Sequence, residues 1–167
     1  MRFLPALYRA GNVERFHTMS THKRQTLADH SWGVLMIIAH VSDGPVGHQL
    51  MGAALCHDLA ESVTGDVPYT AKRASGELVE ALSAVEMQFD RDFDIVYKLT
   101  EEEVDLLRWA DMMELMMYCL GEYEMGNKRI MSVVQTARLA INRLGFPTTK
   151  ARELYVTVSE QFRRQDV

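Results

Sequence analysis

Four ionisable residues embedded in apolar, helix-periodic sequence constrain this chain more than any other feature: His30, the adjacent pair His57-Asp58, and Asp111. His57-Asp58 closes the apolar turn Met51-Gly52-Ala53-Ala54-Leu55-Cys56, and Asp111 lies between Leu106-Leu107 and Met112-Met113. Such groups are costly to bury without a compensating partner. Taken singly, a histidine on an apolar helix is more often a hydrogen-bonded core residue than a ligand. Taken together, two imidazoles and two carboxylates form a mixed nitrogen and oxygen set that one divalent cation satisfies, with positions left for water and a phosphate oxygen.

The surrounding sequence is helical almost throughout. Over residues 25–40 apolar side chains recur at Leu27, Val34, Leu35, Ile38 and Ala39 and stop at Ser42-Asp43-Gly44-Pro45. The pattern predicts a second helix over 46–62, closed by the Gly65-Asp66-Val67-Pro68 loop, and a third over 70–93, which Gly76 weakens by roughly 1 kcal/mol relative to alanine. Thr100 followed by Glu103 is a capping-box signal for a fourth helix running through Glu124. A fifth over 128–144 and a last over 149–164 follow the breaks at Gly126-Asn127 and Gly145-Phe146-Pro147. No stretch reads as a strand, and no repeat or linker marks a second domain. The expectation is an all-α fold with residues 1–167 as a single domain.

Composition bounds the partners. A chain of 167 residues buries one sizeable core without staples, and its net charge of −5 argues against general nucleic-acid binding or an anionic membrane surface. A small anionic substrate needs only a local cluster of cations. Cys56 and Cys119 lie among apolar helical residues, so both read as buried thiols of a reducing compartment. Residues 1–10, interrupted by Arg2, Pro5 and Arg9, do not resemble a signal peptide, and no apolar run approaches a membrane span; the expected location is the cytoplasm. The helix over 111–125 carries Met112, Met113, Leu115, Met116, Met117, Tyr118 and Leu120, more apolar circumference than one core-facing stripe needs, which points to a homodimer or an assembly of dimers.

The order of His30, His57-Asp58 and a distant Asp111 on separate helices resembles the HD superfamily of metal-dependent phosphohydrolases. Gln25-Thr26-Leu27-Ala28-Asp29-His30-Ser31-Trp32 looks like the helix that brings the family's first histidine. Cys56 through Pro68, read as HD-x-x-E-x-x-x-G-D-x-P, is similar to the 5'-deoxynucleotidase branch, and Arg108-Trp109-Ala110-Asp111 resembles the element bringing the last ligand. The resemblance covers roughly residues 11 to 145.

That resemblance implies an HD-type helical bundle in which His30, His57, Asp58 and Asp111 hold the metal; Co, Mn, Zn, Fe and Mg all suit the ligand set. Glu61, three residues after Asp58 and expected on the same helix, would share its face and act as general base or acid. Its bland alternative is a solvated carboxylate near a helix end. Asp66 is implied as a catalytic and sugar-facing residue, the alternative being a simple Asx-turn. Arg15, Lys72 and Arg108 match the family's basic residues, and Arg108, three positions before Asp111, is expected on the metal-facing side of its helix. Lys23-Arg24 and Lys128-Arg129 read as solvated faces, and His17 and His22 stay outside the core site. Where the branch has an Arg-Trp pair beside the sugar, this chain has Arg15-Phe16, so Phe16 is the candidate substrate-facing ring.

By overall likeness the chain resembles compact phage-encoded HD phosphohydrolases, which would place it in a host cytoplasm. The implied activity is hydrolysis of a dNTP, with dATP preferred, by water attack at the α-phosphorus with metal assistance, giving deoxynucleoside and triphosphate. The alternatives are 5'-deoxynucleotidase action on a dNMP, and a non-catalytic nucleotide-sensing HD module, which would ordinarily lack a ligand or the acid-base carboxylate. A purely structural bundle leaves the buried charges unexplained.

Overall fold

The computed structural model describes residues 3–164, and its architecture is helical apart from one two-residue strand pair. The elements run α1 (Phe3–Gly11), β1 (Glu14–Arg15), β2 (Gln25–Thr26), α2 (Leu27–Val41), α3 (His48–Cys56), α4 (Glu61–Thr64), α5 (Tyr69–Ala74), α6 (Gly76–Phe93), α7 (Glu101–Glu124), α8 (Met131–Leu144) and α9 (Thr149–Arg164).

The long α7 is the central element, packed against α2, α8 and α9, with α3 beside α2. Trp109, Met113 and Met116 of α7 are fully buried with Val34 and Ile38 of α2, Val134 and Ile141 of α8, and Phe162 of α9. A second apolar cluster, built on Ala6, Ala10, Leu27, Leu59, Ala60 and Phe89, seats α1 beneath the segment that carries His57 and Asp58. Among the described residues no helix is long and apolar enough to cross a membrane.

The capping box expected at Thr100 forms: its hydroxyl accepts from the Glu103 amide at 3.2 Å while the Glu103 carboxylate accepts from the Thr100 amide at 2.9 Å. A second box, Thr26 with Asp29, starts α2 two residues later than the apolar pattern predicts, because Gln25 and Thr26 pair with Glu14 and Arg15 as an antiparallel ribbon. That ribbon corrects the expectation of no strand at all. The fifth helix opens as a 3-10 turn over Lys128–Ile130 before α8 begins.

Two predicted helices are divided. The third breaks at Ser75, whose extended backbone ends α5 and whose hydroxyl caps α6 by accepting from the Leu78 amide. The second ends at Cys56 and resumes only at Glu61. Between them the amides of Leu59, Glu61 and Ser62 donate to the carbonyls of Cys56, Asp58 and Leu59, the tighter i to i−3 pattern of a 3-10 turn. His57, Asp58 and Glu61 therefore do not share a regular α-helix, and Glu61 sits at a helix N-terminus rather than near a C-terminus. Of the two cysteines, Cys119 is buried, and burial pushes its thiol up to about 12. Cys56 is only half-buried and accepts a hydrogen bond from the Tyr97 hydroxyl at 3.3 Å.

Candidate metal and phosphate site

Three elements bring the four proposed ligands together: α2 carries His30, the turn after α3 carries His57 and Asp58, and α7 carries Asp111. His30 is fully buried, whereas the side chains of Asp58 and Asp111 each keep 29% exposure, so the cluster is open on its carboxylate side. The Nε2 atoms of His30 and His57 face each other at 3.3 Å. Asp58 Oδ2 lies 3.8 Å from the first and 3.4 Å from the second, and Asp111 Oδ1 lies 3.2 Å from His30 Nε2.

The outer nitrogens decide what those inner atoms are. His57 Nδ1 is 3.0 Å from the Ala54 carbonyl, which only accepts, so Nδ1 carries the hydrogen and Nε2 presents a lone pair. His30 Nδ1 meets Glu114 Oε2 at 2.5 Å. Lone pairs and carboxylate oxygens converging on one point repel each other until a positive charge lies between them. One atom each from His30, His57 and Asp58 lies within 4.8 Å of the other two, a compact N/O donor group of the kind divalent cations take. Asp111 joins through His30. The donor set fits a metal ion.

Burial alone would depress the His30 pKa, but hydrogen bonds to Asp111 and Glu114 outweigh it and raise the value from 6.5 to about 9. Asp111 is held low: burial would raise it, and the hydrogen bond to His30 and that ring's charge prevail.

Glu61 lies beside this cluster and lines, with His57, Asp58, Gly65, Lys72 and Glu86, a cavity of about 30 Å³, room for water-sized molecules rather than a nucleotide. Its Oε2 is buried without a hydrogen-bond partner. Burial first, then the charges of Asp58 and Asp66, lift its carboxyl from 4.5 to about 7, the range suited to proton transfer at neutral pH.

Arg15 reaches the site from β1, its guanidinium 3.3 Å from Asp58 Oδ2 with a side chain only 14% exposed. The next residue, Phe16, has φ +58°, a strained conformation for a bulky residue that costs on the order of 1–3 kcal/mol. Two contacts hold it: the Phe16 amide donates to Asp66 Oδ2 at 3.3 Å, and its ring stacks on Tyr118 with centroids 4.6 Å apart. Asp66 follows Gly65, whose φ of +71° permits the turn, and thus ties the loop after α4 to the corner after β1. His17 Nδ1 is 3.9 Å from the same oxygen.

Arg108 stands apart from the expectation. Its side chain is 66% exposed, with the guanidinium 3.9 Å from Asp105, so it lies on the solvent side of α7 rather than pointing inward. It stands three positions before Asp111, but Trp109 and Ala110 between them take the buried face, and the Arg108 side chain turns to solvent.

Two buried carboxylates were missed in the sequence. Glu114 is 7% exposed and touches His30, while Glu122 is fully buried. Glu122 accepts from the backbone amides of His22 and Lys23 and from Asn127 Nδ2, at 2.7–3.0 Å, so it pins the loop between β1 and β2 to α7. Burial would raise its pKa, yet those donors hold it low. The signal was available: each interrupts an apolar run of α7, Met112-Met113-Glu114-Leu115-Met116 and Leu120-Gly121-Glu122-Tyr123, just as Asp111 does.

A family model described as 5'-deoxynucleotidase YfbR-like matches residues 2–154. The chain belongs to the YfbR-like family of HD phosphohydrolases. Two kinds of relative accompany that match. A dATP triphosphohydrolase of cyanophage S-2L is 29% identical over 116 residues, covering 66% of this chain and 65% of that protein. A 5'-deoxynucleotidase YfbR of Salmonella arizonae is 26% identical over 148 residues, covering 75% of this chain and 74% of that one. The solved structure of the cyanophage S-2L HD phosphohydrolase DatZ, bound to dA and one catalytic Zn²⁺ ion, superposes with a TM-score of 0.64 at 21% identity, over 96% of both chains. The family's helical HD fold is thereby shared across the YfbR-like chain.

Proposed function

We propose that this protein is a metal-dependent deoxynucleotide phosphohydrolase in which His30, His57, Asp58 and Asp111 hold the cation. The observation that carries the reading is the pair of Nε2 atoms facing each other at 3.3 Å, flanked by two carboxylates with open sides. A bound divalent ion supplies Lewis-acid polarisation of a phosphate oxygen and acidifies water. Zn²⁺ is supported by the DatZ relative, and Mn, Co, Fe and Mg suit the same donors.

In the proposed reaction, water attacks the α-phosphorus, the bond to the nucleoside 5'-oxygen breaks, and that oxygen leaves with a proton. Glu61, with a carboxyl near pKa 7 and a bare Oε2 beside a water-sized cavity, accepts the proton from water and returns it to the leaving group. Arg15 stabilises charge on the phosphoryl group, bridging it to Asp58. Asp66 and the stacked Phe16 form the sugar-facing wall.

The preferred substrate is a dNTP, with dATP favoured, yielding deoxynucleoside and triphosphate. Lys72, which lines the same cavity as Glu61, adds charge beyond what a monophosphate requires, and Arg108, exposed on α7 beside Asp105, is the further cation proposed to meet the outer phosphates. Lys72→Ala and Arg108→Ala should therefore weaken dATP hydrolysis, Lys72→Ala by roughly 10-fold or more, while leaving dAMP hydrolysis less affected. Product chromatography checks this. Equal losses on both substrates, or wild-type preference for dAMP, would favour 5'-deoxynucleotidase action, the reading that the family model and the Salmonella relatives support. A nucleotide-sensing module fits less well, because the ligand set and Glu61 are all present.

The protein is further proposed to act in the cytoplasm as a homodimer or an assembly of dimers. Trp32, Met36 and Met117 are 63%, 46% and 42% exposed and line one groove between α2 and α7, an apolar face suited to a second copy. A monomeric mass by light scattering would contradict the association.

A further inference from the structure

Asp111 and Glu114 are one turn apart on α7 and grip the same imidazole from opposite ends. Asp111 Oδ1 lies 3.2 Å from His30 Nε2, and Glu114 Oε2 meets His30 Nδ1. His30 is wholly inaccessible, so its ring has no solvent partner to turn towards. Its two nitrogens compete for one hydrogen in the neutral state. A hydrogen on Nδ1 leaves the Nε2 lone pair for a cation, whereas a hydrogen on Nε2 is donated to Asp111 and removes both from the ligand set.

We propose that Glu114, braced by Gln25, is the positioning residue that selects the metal-competent form of His30. The proposal rests on the reading of this cluster as a metal centre. Glu114 is bound on both oxygens: Oε2 by His30 and Oε1 by Gln25 Nε2 at 2.7 Å. Gln25 is itself 4% exposed and belongs to the β ribbon, so the relay joins β2, α7 and α2. A carboxylate oxygen accepts at each ring nitrogen, but the Glu114 contact at Nδ1, 2.5 Å, is closer than the Asp111 contact at Nε2, 3.2 Å, so Glu114 biases the hydrogen to Nδ1. Glutamine in its place has an amide that donates, and can stabilise the wrong tautomer equally well.

Gly33 supplies an independent handle. It lies on α2 one turn after His30, and a Cβ there would come within 2.8 Å of Glu114 Cγ and 3.2 Å of its Oε1. Hydrogen at this position is what lets the carboxylate lie against α2. Gly33→Ala should displace Glu114 without altering a single donor or acceptor in the relay.

The test is calorimetric titration of the metal-free full chain with Zn²⁺, accompanied by nitrogen-15 NMR of the His30 ring. Wild type should bind one Zn²⁺ per chain, with hydrogen on Nδ1. Glu114→Gln and Gly33→Ala should each bind roughly 10- to 100-fold more weakly, the usual cost of losing an outer carboxylate behind a histidine ligand. Under saturating Zn²⁺, Glu114→Gln should recover most of its kcat with an unchanged nucleotide KM, unlike a variant of a group that touches substrate. If Glu114→Gln fails to fold, Gly33→Ala and Gln25→Leu carry the same comparison. Variants that bind Zn²⁺ within twofold of a metal-binding wild type, with Nδ1 still bearing hydrogen, overturn the assignment of Glu114. A wild type that binds no metal overturns instead the metal-centre reading on which it rests.

Discussion

His57→Ala and Asp58→Ala should each abolish stoichiometric metal binding and, with it, all nucleotide hydrolysis. The two imidazole Nε2 atoms define the site only as a pair, and Asp58 Oδ2 is the oxygen within 3.8 Å of both. A site reduced to three donors leaves them poorly organised for a cation. The helices should persist, because α3 ends at Cys56, before either residue, and the second apolar cluster beneath this turn contains neither. His57→Ala is the cleaner variant, since Asp58→Ala also deprives Arg15 of its carboxylate. Metal analysis of the dialysed proteins, with far-ultraviolet circular dichroism as the folding control, checks both. Full metal content and turnover in Asp58→Ala would refute the ligand assignment.

Glu61→Gln should have the second-largest effect and the opposite pattern: metal retained, kcat reduced by about 10²- to 10⁴-fold, the range for a positioned acid or base. The wild-type kcat should rise with pH through a limb at or below about 7, since burial lifts the carboxyl to that value and a neighbouring cation lowers it. That limb should vanish in the variant. A stability effect accompanies it in the metal-free protein. The folded carboxyl titrates at about 7 and the free one at 4.5, so the neutral form is favoured on folding. Its stabilising contribution is complete below pH 4.5 and is lost as pH rises through about 7. Glu61→Gln, permanently neutral, should therefore melt higher than wild type above pH 7 and show no such advantage below pH 4.5. Thermal unfolding at the two ends of that window measures the difference.

What the sequence disclosed and what it withheld follow from range. Helical periodicity and the Thr100 capping box are local, so α2, α7 and α9 lie where the pattern puts them within a few residues. The division of the second helix at His57-Asp58 has no Gly or Pro to announce it; a tight 3-10 turn there arises from tertiary packing of Leu59 and Ala60 against α1 and Phe89. The β ribbon escaped notice because two residues per strand carry no alternation. At the site, His30, His57, Asp58 and Asp111 were legible as charges stranded in apolar sequence. Glu114 and Glu122 bear the same mark, but they meet His30 and His22, 84 and 100 residues away, and no spacing reveals such contacts. Arg108 shows the reverse error. Position on a helix relative to Asp111 suggested an inward direction, whereas Trp109 and Ala110 take the buried face and leave the guanidinium to solvent.

Incubation of the purified protein with dATP, dAMP, dGTP and ATP, with Mn²⁺, Co²⁺ or Zn²⁺ and with a chelator, tests the central claim directly when the products are separated by chromatography. The account predicts metal-dependent, chelator-sensitive conversion of dATP to deoxyadenosine and triphosphate. Inertness of every nucleotide with every metal, in a folded protein, would contradict it.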